Sequence, residues 1–105
     1  MKVLLIAESR EGKLLGSCYE LMAFAEKMAA ESVMFLVGSD STLPQYGGKL
    51  YLADAASAGE YNPGGHKQLI LDVVEKEQPD MVVFSHSSYG WDLAPRVAFA
   101  LQAAQ

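Results

Sequence analysis

The stretch MVVFSHSSYGWDLAPR, Met81–Arg96, decides the fold. Its first four residues are apolar without alternation, as in a short strand buried on both faces. Small hydroxyls, a glycine, an acid, a proline and an arginine follow, and then the alanine-rich stretch Val97–Ala104. A buried strand that turns tightly into a helix is the basic unit of α/β layered folds. Proline has no N–H to give, and the first turn of a helix does not need one. The spacing therefore predicts a helix that starts near Asp92, with Pro95 in its first turn and Asp92 as N-cap or first-turn acid. Arg96 stands four residues after Asp92, where a pair is worth about 0.2–0.5 kcal/mol.

Three earlier runs match Met81–Phe84 in character: Val3–Ala7, Val33–Val37 and Leu50–Ala53. Helical patterns lie between them. Cys18, Leu21, Met22, Ala25, Met28 and Ala29 recur at spacings of three and four and make one apolar face. Ser17 and Glu20 form S-x-x-E, which predicts a capping box. Leu69, Ile70, Val73 and Val74 form the inner face of a second helix, with Asn62 as N-cap, Pro63 at its first position and Pro79 beyond its end. Between the second and third strands, Pro44 and Gly47-Gly48 leave room for about one helical turn. The expected fold is α/β, a doubly wound, mostly parallel sheet of at least four strands. Helices cover both faces in a Rossmann-like three-layer α/β/α arrangement, and the strand order is 3-2-1-4. The fourth strand would then be an apolar, unpaired edge, which proteins normally cover. The expectation is a fragment or a partner along that edge, with self-association as one outcome.

At 105 residues the chain makes one domain, and its 50% hydrophobic content supports a core. No apolar run approaches the roughly 20 residues of a membrane span. The opening MKVLLIAE reads as a strand and not as a signal peptide. The single Cys18 excludes an internal disulfide and fits a reducing, cytoplasmic setting. A net charge of −5 argues against nucleic acid as partner.

The familiar catalytic signatures are missing. The loop after the first strand, Glu8–Gly12, lacks G-x-G-x-x-G, and no P-loop is present. His66 and His86 have no cysteine or carboxylate at metal-ligand spacing, so no metal is expected. Cys18 reads as a small core residue. Ser85, His86 and Asp92 make a triad only on paper, because nothing marks a nucleophile elbow. Ligands of open α/β sheets sit beyond the carboxyl ends of the strands. There the candidates are Glu8, Ser87, Ser88, Gly90 and Arg96, with hydroxyls to donate and a helix N-terminus to add positive potential. The notable residues of His86–Arg96 also have a structural use in a tight turn into a helix, and both readings account for that stretch.

The pattern Ser87-Ser88-Tyr89-Gly90-Trp91-Asp92-Leu93-Ala94-Pro95-Arg96, set between a strand and an alanine-rich helix, resembles the N-terminal domain of the electron transfer flavoprotein alpha subunit. Val3–Glu8, Gly12-Lys13-Leu14, Tyr19-Glu20-Leu21 and Gln78–Phe84 agree with it, so the resemblance covers essentially the whole chain. Trp91 departs from it, since a basic residue is common there, and the connection Pro44–Gly48 is shorter than usual. The resemblance implies a non-enzymatic scaffold domain of an electron carrier that pairs with the beta subunit as a heterodimer. It implies FAD in the full complex, held mostly by a C-terminal domain that this sequence lacks, with no FAD on this stretch by itself. Dehydrogenases are the implied electron donors. Two rivals stand beside it: a free-standing adenine-nucleotide-binding module of related fold, and an interaction domain with no ligand.

Overall fold

The computed structural model describes residues 1–59 and 62–101. Ala103 and Ala104 of the alanine-rich stretch lie outside them. In chain order the elements are β1 (Lys2–Ile6), β2 (Ser9–Arg10), β3 (Lys13–Leu14), α1 (Ser17–Lys27), β4 (Glu31–Gly38), a 3-10 turn (Asp40–Thr42), β5 (Lys49–Asp54), α2 (Ala55–Ala58), α3 (Pro63–Glu77), β6 (Met81–Phe84) and α4 (Ser88–Leu101). The main sheet runs β5-β4-β1-β6, and all its pairings are parallel. This is the 3-2-1-4 order of a three-layer α/β/α fold.

The unbroken apolar runs are explained by burial on both faces. Leu4, Ile6, Val33, Phe35 and Val37 pack with Ile70, Val73, Leu93 and Val97 of α3 and α4. Val3, Leu5, Ala7, Met34 and Leu36 pack with Cys18, Leu21 and Ala25 of α1 on the other face. Successive residues of one strand thus feed opposite cores, and each such buried side chain is worth about 1.5–3 kcal/mol. Asn62 caps α3 by accepting from the Gly65 amide at 3.3 Å. Gln78 ends the helix in the left-handed region at φ 49°, just before Pro79.

Two predicted helix starts are corrected. Ser17 does not cap α1. Gly16 precedes the helix in a helical conformation, and the Cys18 and Tyr19 amides donate to the Leu15 and Gly16 carbonyls at 3.1 and 3.0 Å. Gly16 takes the cap position, so Ser17 is already the first residue of the helix and stands one place too late to cap it. The Ser17 hydroxyl is buried without a partner.

The second correction concerns α4. It begins at Ser88 and runs unbroken through Gly90 and Pro95. Asp92 is therefore not an N-cap, and Pro95 is not in the first turn. The cap is Ser87, whose hydroxyl accepts from the Gly90 amide at 3.1 Å and whose carbonyl accepts from the Trp91 amide at 2.8 Å. Gly90 serves close packing rather than a turn: a Cβ there would lie 2.2 Å from the Ser85 carbonyl oxygen. Pro95 is tolerated on the exposed side of the helix, where it forfeits the bond its N–H would have made to the Trp91 carbonyl.

β6 is an edge strand, paired only with β1 among the described residues. Met81 is exposed, and Val82, Val83 and Phe84 are half-buried. A slot of about 720 Å³ runs beside them, walled by Phe24 of α1 and by Val97 and Leu101 of α4.

Candidate functional site

The sheet order reverses between β1 and β6. From β1 the chain moves by α1 to β4 on one side, and β6 lies on the other. In open α/β sheets this switch point opens a crevice beyond the carboxyl ends of the strands. Three of the five candidate residues, Glu8, Ser87 and Gly90, meet there. The Ser87 hydroxyl donates to the Glu8 carboxylate at 2.5 Å and ties the end of β1 to the start of α4. Glu8 is 5% exposed. Gly90 lies next to this pair, its amide donating a hydrogen bond to the Ser87 hydroxyl. Ser88 is exposed, and Arg96 is exposed about 12 Å farther along the helix axis, so neither is brought to the crevice.

A feature that sequence reasoning missed sits above Glu8. The loop predicted for Glu8–Gly12 folds into the β2–β3 hairpin. Its turn residues, Glu11 and Gly12, both have positive φ, at 51° and 75°, as primed two-residue turns require. The acid-glycine pair between short strands was the available signal. The Ser9 hydroxyl donates to the Val37 carbonyl at 2.7 Å and the Leu15 amide to the Glu8 carbonyl at 2.9 Å, which press the hairpin over the strand ends. A cavity of about 210 Å³ remains, lined by Glu8, Ser9, Arg10, Glu11, Val37 and Tyr89.

Tyr89 connects this cavity to a buried histidine. His66 is fully buried on α3. Its Nε2 lies 2.6 Å from the Gly59 carbonyl and its Nδ1 2.8 Å from the Tyr89 hydroxyl. A carbonyl only accepts, so Nε2 carries the proton, and Nδ1 then accepts from Tyr89. The sequence had offered His66 only as a non-ligand. A histidine on an apolar helix face signals a buried polar link of this kind.

The paper triad does not assemble. The Ser85 hydroxyl is buried with no hydrogen-bond partner, while His86 is exposed and stacks on Trp91 with ring centroids 5.4 Å apart. Cys18 is buried beside Met34, with sulfurs 3.7 Å apart, and burial pushes its thiol pKa up. It is a core residue and a poor nucleophile. Among the described residues no three His, Cys, Asp or Glu side chains gather as a metal site. No helix among them is long and apolar enough to cross a membrane.

A flavin dinucleotide does not fit the strand-end cavity. Sites for molecules of drug size occupy about 300–1,000 Å³, and here the phosphates would meet a buried carboxylate. The larger slot beside β6 has mostly apolar walls, with Asp80 as the one charged residue among those described.

The sequence matches known proteins along nearly its whole length. The family model of the electron transfer flavoprotein domain matches residues 3–105. The chain is 31% identical to the electron transfer flavoprotein subunit alpha of Bacillus subtilis, over 96% of this chain and 34% of that protein. It is 30% identical to the acryloyl-CoA reductase electron transfer subunit beta of Anaerotignum propionicum, over 90% and 28%. It is also 30% identical to the subunit alpha of Megasphaera elsdenii, over 95% and 32%. The chain spans about a third of the length of these relatives. With the strand order, the covered strand ends and a match over almost every residue, the chain belongs to the electron transfer flavoprotein family, and its likeness is to the N-terminal domain of the alpha subunit.

Proposed function

We propose that this chain is a scaffold domain of an electron transfer flavoprotein. It contributes structure to the carrier and leaves the redox chemistry to FAD held by other polypeptide. Its partner is a beta-type subunit, and the complex takes its electrons from dehydrogenases. The observation that carries this reading is the narrowed strand-end crevice in a chain of this family. The fold keeps the sheet's ligand position but fills it with a hairpin and a hydrogen-bonded carboxylate. A domain so built supplies position and electrostatics, while a cofactor bound elsewhere supplies the chemistry.

Co-expression with the beta-type subunit from the same organism tests the proposal. A stable stoichiometric complex on sedimentation is the expected outcome. Two species that sediment independently at concentrations above about 10 μM, where a stable interface of standard size holds its partner, would refute it.

A further inference from the structure

Glu8 is a buried acid at the end of β1. The crevice lies between the ends of β1 and β6, and the hydrogen bond from Ser87 to Glu8 spans it at 2.5 Å. The same Ser87 hydroxyl accepts from the Gly90 amide in the first turn of α4 at 3.1 Å. One hydroxyl therefore passes the charge of the carboxylate to the positive end of a helix of more than three turns. That end of the helix is where folds of this class place an anionic ligand. Glu8 is 5% exposed, so its charge acts across a poorly solvated path. The cavity beneath the hairpin, beside Glu8, is lined by a second acid, Glu11, and by one cation, Arg10.

We propose that Glu8 is a built-in anion: it occupies the ligand position of the crevice from within and bars phosphate-bearing molecules from it. The inference concerns ligand choice at one crevice. It stands or falls independently of whether a beta-type subunit binds.

Trp91 provides the readout, as the only tryptophan of the chain and a first-turn residue of α4. The probes are inorganic phosphate and AMP, titrated against sodium chloride of matched ionic strength, with Trp91 fluorescence followed. For the unaltered chain the expected result is no saturable change with either probe. Glu8→Ala removes both the charge and the bulk. Glu8→Gln removes the charge and keeps an acceptor for Ser87, so it folds where the alanine variant does not. At least a tenfold gain in apparent phosphate affinity is expected in whichever variant folds, with circular dichroism confirming the fold. Saturable binding of phosphate or AMP by the unaltered chain would overturn the proposal. So would folded variants that bind no better than the parent.

Discussion

At the residue scale the polar side chains in the interior carry the clearest consequences. His66 and Tyr89 join α3 to α4 inside the core, and His66 also holds the Gly59 carbonyl. Tyr89→Phe keeps the ring and leaves Nδ1 without a donor. The expected loss is about 1–3 kcal/mol, read by urea denaturation. Nitrogen-15 spectra of the histidines should show the Nε2–H tautomer for His66. Glu77 has the opposite location, at the amino-terminal ends of the strands. It receives Lys2 at 2.8 Å, Lys49 at 2.9 Å and the Tyr51 hydroxyl. The bond from Lys2, then those from Tyr51 and Lys49, lower its pKa from 4.5 to about 2. A carboxylate depressed in the folded state stabilises fully above its unfolded value, and the contribution is lost as pH falls toward the folded one. Stability should therefore drop between about pH 4.5 and pH 2. Glu77→Gln should flatten that part of the curve, and an unchanged acid limb in this variant would remove Glu77 from the account.

At the element scale α4 separates what the sequence revealed from what it hid. The strand Met81–Phe84 was legible to the residue, because both-face burial demands an unbroken apolar run. The start of α4 was not. Pro95 and Asp92 offered a consistent N-terminal signal, yet Ser87 caps the helix earlier, because Gly90 lets the first turn lie against the Ser85 carbonyl. That contact is tertiary and leaves no local pattern. Gly90→Ala would gain about 1 kcal/mol in helix propensity but places a Cβ 2.2 Å from a backbone oxygen. Net destabilisation of about 1–3 kcal/mol is expected by thermal denaturation. Pro95→Ala has the other sign. It restores a helical hydrogen bond on the exposed face and should stabilise by about 0.5–2 kcal/mol. The β2–β3 hairpin was hidden for a different reason: two-residue strands are too short for alternation to show.

At the scale of the whole molecule the two edges of the sheet differ. β5 begins with Lys49 and ends with Asp54, charges that discourage pairing. β6 is apolar throughout and opens on a slot between α1 and α4. On its own the chain is expected to self-associate along this edge, with Met81→Lys shifting it toward monomer by light scattering. A monomer at high concentration would show that the half-buried Val83 and Phe84 need no further cover. Fold class, strand order and family were readable from the whole sequence, because apolar runs and the Ser87–Arg96 pattern survive without contacts. Of the candidate site, Glu8, Ser87 and Gly90 come together and Ser88 and Arg96 do not: Ser88 is exposed at the start of α4, and Arg96 lies more than two turns along it.

As proposed, the domain helps position an electron carrier while other polypeptide holds the redox group. The visible absorbance spectrum of the purified chain, taken before and after denaturation, tests this. A colourless protein that releases no flavin is the predicted result. A yellow preparation that releases flavin on unfolding would contradict it.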